Sequence, residues 1–175
     1  GGAIVFDRRL ESIEARNGRV SGLHFADGRR IDGIERLVST VPLPLLARLA
    51  LPESEADPLL SANPLPFRGM VFAFVRLARP TFLDHHWVYV PDPEIPFQRL
   101  TEFAPFGAAM APAGHTGLAL EIASDPGEKW WDAPDETVTS ACLEGLRRIA
   151  PLSDAEVLGI AVHRVPRVYP LQIRG

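Results

Sequence analysis

The chain has 175 residues, 46% hydrophobic and 23% charged, enough for one packed domain or one domain with part of a second, and this composition excludes wholesale disorder. Its net charge is −4 with a pI near 5.7, and the arginine pairs Arg8–Arg9, Arg29–Arg30 and Arg147–Arg148 are dispersed among acids, which argues against nucleic acid as a partner. One cysteine, Cys142, excludes an internal disulfide and a cysteine-built zinc cluster. No apolar run approaches the roughly 20 residues of a membrane span, and Gly1-Gly2-Ala3 has no signal-like character. A soluble, cytoplasmic protein is the expectation.

The first forty residues have a β grammar. Leu10–Arg16 leads into Asn17-Gly18, and Arg19–Phe25 leads into Asp27-Gly28. Both dipeptides supply the positive-φ residues of tight hairpins, so a three-strand meander is predicted. Ile34–Thr40 contains the apolar run Leu37-Val38 and is stopped at Val41-Pro42, and it predicts a buried strand. Residues 43 to 63 predict two helical pieces. Leu45, Leu46 and Leu49 form the stripe of the first, and Leu51-Pro52 breaks it before an acidic second piece.

The second half reads as a sheet. Met70–Leu77 is apolar at almost every position, which predicts a central strand buried on both faces. His86–Val90, Phe97–Phe103, Gly117–Ala123 and Val157–Val165 are further strands, separated by Pro/Gly-bearing turns. Asp132–Ile149 predicts the longest helix, with Asp132 and Asp135 as an acidic cap and Val138, Cys142, Leu146 and Ile149 on one stripe. Ser153-Asp154-Ala155-Glu156 is a capping-box pattern. Strands in runs with helices set apart give an α+β class: a β-meander plus a mostly antiparallel mixed sheet with a few helices.

Taken in order, the meander, the run Val38-Ser39-Thr40-Val41-Pro42, the helical pair and Phe67-Arg68-Gly69 opening a central strand resemble the FAD-dependent amine oxidase superfamily. The similar branch holds protoporphyrinogen oxidase-like, phytoene desaturase-like and UDP-galactopyranose mutase-like proteins. The segment Ile95-Pro96-Phe97-Gln98-Arg99-Leu100-Thr101-Glu102 resembles the last of these. The resemblance covers nearly the whole chain, and the order of the pieces carries it. It implies an internal fragment, with residues 1–42 belonging to the FAD-binding domain and 43–175 forming the substrate-binding domain. The Gly-x-Gly-x-x-Gly fingerprint that cradles a cofactor pyrophosphate is absent from the sequence. The expectation is FAD in the full-length parent, not retained by this chain, and no catalysis by the fragment alone.

The resemblance also assigns residues. Leu10 matches the position passing the adenine end of FAD, and Thr40, Val41 and Pro42 the stretch returning beside the flavin. Arg99 is the first candidate for substrate contact, since Phe97, Arg99, Thr101 and Phe103 alternate onto one strand face and an arginine there can clamp a carboxylate or phosphate. The competing role is a salt bridge to Glu102 or a solvated edge charge. Arg68 is either an anion contact or a bridge to a meander acid. Tyr169 either meets a substrate or packs a domain border. His86 either serves as a base or makes an ordinary hydrogen bond beside a turn.

Adjacent His85 and His86 point to opposite strand faces, and no metal ligand set is expected. Trp130-Trp131 suits packing at a helix entrance better than a pocket, and Cys142 suits a buried inert thiol. Two functional readings stand. One is the substrate-binding portion of an FAD-dependent oxidoreductase, with a small-molecule substrate and self-association through exposed interdomain surface. The other is a stand-alone α+β binding or interaction module without catalysis.

Overall fold

The computed structural model describes residues 2–62, 65–83 and 85–171. The chain divides into two compact units, Gly1–Leu65 and Pro66–Gly175, so α-helical residues 43–62 cluster with the meander and not with the second sheet.

The first unit contains the antiparallel meander β1 (Leu10–Arg16), β2 (Arg19–Phe25) and β3 (Arg30–Asp32). Asn17 and Gly18 both have positive φ, 51° and 74°, the paired left-handed conformation that suits the twist of a two-residue hairpin. Ile13 is buried, while the acids and arginines of the three strands form ion pairs such as Arg30–Glu14. Two helices follow, α1 (Leu43–Ala50) and α2 (Glu53–Ala62). Leu51 between them is extended, as a residue before proline tends to be, and its N–H still closes on Ala47.

The predicted strand at Ile34–Thr40 does not form. Its residues lack sheet hydrogen bonds, and Val38 is 90% exposed. A lone apolar run becomes a strand only when a neighbour satisfies its backbone, and among the described residues none pairs with it.

The second unit is a five-stranded antiparallel sheet in the order β5-β6-β7-β4-β8. Its strands are β4 (Phe67–Leu77), β5 (Trp87–Tyr89), β6 (Arg99–Glu102), β7 (Thr116–Ala123) and β8 (Val157–Pro170). The fold class is α+β, as expected. Between β7 and β8 lie α3 (Lys129–Asp132) and α4 (Asp135–Ile149). The single predicted helix at 132–149 is thus interrupted at Ala133-Pro134, and the cap position is Pro134 with no side-chain cap, not Asp132. Proline fixes φ near that of a first helical turn but admits no preceding helix, which explains the break. The Ser153–Glu156 capping box is present.

Val138, Cys142 and Leu146 of α4 pack onto Val71, Val75, Leu118 and Leu120 in one buried cluster. Each of the valine and leucine side chains contributes about 1.5–3 kcal/mol on burial. Gly145 is also on this seam, because a Cβ there would approach Phe97 Cε1 to 2.9 Å. Glu136 near the start of α4 and Arg147 near its end suit the helix dipole.

Beyond Met70, which is buried, only one face of β4 is covered. Val71, Ala73, Val75 and Leu77 are buried, but Phe72 is partly exposed, Phe74 is 39% exposed and Arg76 is exposed. This corrects the expectation of burial on both faces: α4 covers one side, and the other side is open among the described residues. The near-continuous apolar run is misleading because Phe72 and Phe74 stack on each other, centroids 5.9 Å apart, on the open side.

β8 is an edge strand and runs past the predicted end at Val165 through Pro166 to Pro170. It tolerates the prolines because its other side faces no described strand, and its register against β4 shifts between Met70–Val165 and Arg68–Tyr169. No described helix is long and apolar enough to cross a membrane.

Cys142 is fully buried, and desolvation pushes its thiol up to about 12 from an ordinary value of 9.0. Iodoacetamide at pH 8 should therefore leave native Cys142 unmodified and alkylate it rapidly in urea. The folded value lies above the unfolded one, so this group's contribution to stability is complete below pH 9 and is lost as pH rises toward 12. Alkylation of the native chain as fast as the unfolded one would refute the assignment.

Candidate functional site

The open sheet face follows from strand alternation and register. One continuous cross-strand row reads Tyr89, Arg99, Glu121, Phe72, His163. The next row reads Trp87, Thr101, Ala119, Phe74, Ala161, and beyond it Gly117, Arg76, Gly159. Aromatic and polar side chains alternate across this surface, whereas the odd positions of β4 go to the α4 side.

Arg99 is the centre of the polar end. Its Nε and Nη2 donate to Glu121 Oε1 at 2.8 and 2.6 Å, and Nη2 donates to the Tyr169 hydroxyl oxygen at 2.9 Å. Glu121 is only 6% exposed, so the guanidinium satisfies a carboxylate that water barely reaches. The hydrogen bond that Arg99 donates to Glu121, opposed by burial and aided by Tyr89, holds the Arg99 pKa above that of a free arginine. A cleft of about 260 Å³ is lined by Tyr89, Gln98, Arg99, Glu121 and Tyr169. Gln98 is fixed at its rim by accepting the Ala123 N–H.

Sequence spacing offers Glu102 as the partner of Arg99, but the two lie on opposite faces. Glu102 is completely buried on the core side and accepts from the backbone N–H groups of Phe82 and Leu83 and from the Thr116 hydroxyl. Phe97 likewise leaves the expected common face with Arg99. It precedes β6 and packs against Gly145 of α4.

The other candidates are placed as follows. Arg68 is engaged by Asp125 and Glu128 and also donates to the Ala123 carbonyl, so its acids come from the segment after β7, not from the meander. Its backbone pairs with Tyr169, which brings it beside the Arg99 cluster without sharing a hydrogen bond. His86 is outside that cluster, its ring edge-on to Phe106 with centroids 4.7 Å apart. Leu10 opens β1, and Thr40 and Val41 are exposed just before Pro42, whose carbonyl accepts the Leu46 N–H of α1. Sequence reading missed Glu121 and Tyr89. The available signal was Glu121 itself, an acid inside the apolar run Leu118–Ala123, where a buried carboxylate demands hydrogen-bond donors or a cation.

Among the described residues no group of three or more His, Cys, Asp or Glu is placed to hold a metal. Both sheets are antiparallel throughout, and Gly18 and Gly28 close turns of the meander. The described residues therefore build no strand–glycine–helix phosphate cradle.

The sequence matches the family described as flavin containing amine oxidoreductase over residues 1–170. The chain belongs to this family. Its fold is similar to that of reduced UDP-galactopyranose mutase, with TM-score 0.60 and 22% identity, covering 86% of this chain and 32% of that one. An oxidoreductase from Methanosarcina mazei gives TM-score 0.61 and 19% identity, over 91% of this chain and 37% of that one. A proposed protoporphyrinogen oxidase from Exiguobacterium sp. 255-15 gives TM-score 0.52 and 19% identity, over 94% and 35%. This flavin amine oxidoreductase chain thus spans about a third of the length of the structures it resembles. No curated protein gives a significant match.

Proposed function

We propose that this chain is the substrate-binding portion of an FAD-dependent oxidoreductase, with the open sheet face laid over the substrate and the flavin ring. The observation that carries this reading is the one-sided sheet, covered by α4 on one face and lined by Phe72, Phe74, Tyr89, Arg99 and Tyr169 on the other. Flat aromatic surface suits a planar ring system and an apolar substrate body. Arg99, Tyr89 and Tyr169 present fixed polar hydrogens and lone pairs for the substrate's polar end. Arg68 buttresses Tyr169 through the β4–β8 pairing, and His86 lies at the aromatic margin of the same sheet.

In this reading residues 1–42 accompany the flavin-binding domain and 43–175 contact substrate. Leu10, Thr40, Val41 and Pro42 border the cofactor. FAD is gripped through its diphosphate by a glycine-rich unit that these residues do not build, so they cover the cofactor without holding it. When bound, FAD would accept the hydride; this chain would orient the substrate and exclude water.

The test is to incubate the purified chain with FAD, desalt it and record its visible spectrum together with its sedimentation. The expected result is a colourless protein that self-associates with rising concentration, because Val38, Leu43 and Leu45 are exposed. A yellow protein carrying stoichiometric flavin would defeat the covering role. A strict monomer would favour the stand-alone binding module.

A further inference from the structure

Arg76 lies on β4 four residues beyond Phe72, at the other end of the open face. It is flanked in register by two glycines, Gly117 of β7 and Gly159 of β8. Glycine inside a strand weakens it, and its use at both neighbours of one residue calls for a reason in space. At Gly159 the reason is Arg76 itself: a Cβ there would come to 2.9 Å from Arg76 Nη2, so the guanidinium is laid across the bare backbone. At Gly117 the space is taken by the Phe103 ring, 3.1 Å from a Cβ position.

Among the described residues no carboxylate pairs with the seated guanidinium. Arg68, Arg79, Arg99, Arg147, Arg148 and Arg164 each have a carboxylate within ion-pair distance. Arg76 has none among the described residues; its contact is with the Leu158 carbonyl at 3.5 Å, the outer limit of a hydrogen bond. Beside it opens a cleft of about 370 Å³, lined by Arg76 and His115 together with the apolar Met110, Pro112 and Leu158. Met110 and Leu158 are each about half exposed, so apolar surface faces the opening.

From this we propose that the Arg76 cleft binds the oxyanion end, carboxylate or phosphate, of a small amphipathic molecule whose apolar part rests on Met110, Pro112 and Leu158. Planar N–H pairs of an unpaired guanidinium match the two oxygens of such a group, and the volume admits a ring with a short chain. The assignment does not depend on flavin, because every group it uses belongs to the second unit and no cofactor enters.

The experiment is a two-dimensional NMR titration of the 15N-labelled chain with 4-phenylbutyrate, with phenyl phosphate and with the uncharged 4-phenylbutan-1-ol. Saturable shifts at residues 110–117 and 158–159 are expected with the two anions. The alcohol should bind roughly tenfold more weakly or worse. Stronger binding of one anion identifies whether carboxylate or phosphate is the natural group. Arg76→Gln, at an exposed position, should abolish the preference for the anions, while Arg167→Gln, outside the cleft, should leave it unchanged. The proposal is overturned by any of three results: equal affinity for alcohol and acid, an unaltered titration in Arg76→Gln, or no saturable shift up to about 10 mM ligand.

Discussion

Replacing Glu102 with alanine should destabilise the chain by about 3–5 kcal/mol, measured by urea unfolding with tryptophan fluorescence. The side chain is 0% exposed, yet it carries a carboxylate in the middle of the core. It persists there because three donors converge on it: Phe82 N–H at 2.5 Å, Leu83 N–H at 2.9 Å and the Thr116 hydroxyl at 2.9 Å. Alanine would leave those donors without partners in a space too apolar to hydrate them, in addition to a cavity. Glu102→Gln preserves the shape but turns an amide NH2 toward groups that themselves donate, so it should fall between wild type and alanine. The affected segment joins β4 to β5, and the amides of Phe82 and Leu83 should lose hydrogen-exchange protection first. A loss below about 1 kcal/mol for the alanine variant would mean that water replaces the carboxylate at little cost.

Phe97→Ala should cost a comparable 3–5 kcal/mol, roughly the cost of emptying a buried phenyl site. Phe97 is 1% exposed and its ring rests on Gly145, with Ile95 beside it. The same contact gives a counterintuitive companion result. Alanine is a better helix former than glycine by about 1 kcal/mol, so Gly145→Ala in an ordinary helix would stabilise. Here the new Cβ would meet Phe97 Cε1 at 2.9 Å and Ile95 Cγ2 at 3.0 Å, and the rigid ring can yield only by shifting within a packed core. Gly145→Ala should therefore destabilise, by about 1–3 kcal/mol before its propensity gain is subtracted, and Phe97→Leu should relieve it in the double variant. Urea midpoints of the two single variants and the double variant close the cycle; a stabilised Gly145→Ala chain would show that α4 moves off the sheet freely.

The elements written in local chemistry were legible. Asn17-Gly18 fixes the first hairpin, Leu51-Pro52 the break between α1 and α2, and the spacing of Val138, Cys142 and Leu146 the buried stripe of α4. What escaped was decided by neighbours distant in sequence. Ile34–Thr40 has strand composition but no partner to pair with, and Phe72 and Phe74 have core composition but face outward. In the site, Arg99 was visible as a charge in a strand, but its partner was assigned by nearness along the chain. Three residues in a strand change faces, so Glu102 could not meet it, whereas Glu121 on the adjacent strand pairs with it in register. Tyr169 reaches the same guanidinium from 70 residues away because β8 continues through its prolines.

The margins of the five-stranded sheet set how copies of this chain could join. One margin, β5, is three residues long, too short to template a ribbon. The opposite margin, β8, is 14 residues long, but Pro166 and Pro170 lack N–H groups and interrupt its run of donors toward the C-terminal end. Strand-by-strand growth into fibrils is therefore limited at β5 and at the part of β8 beyond Val165.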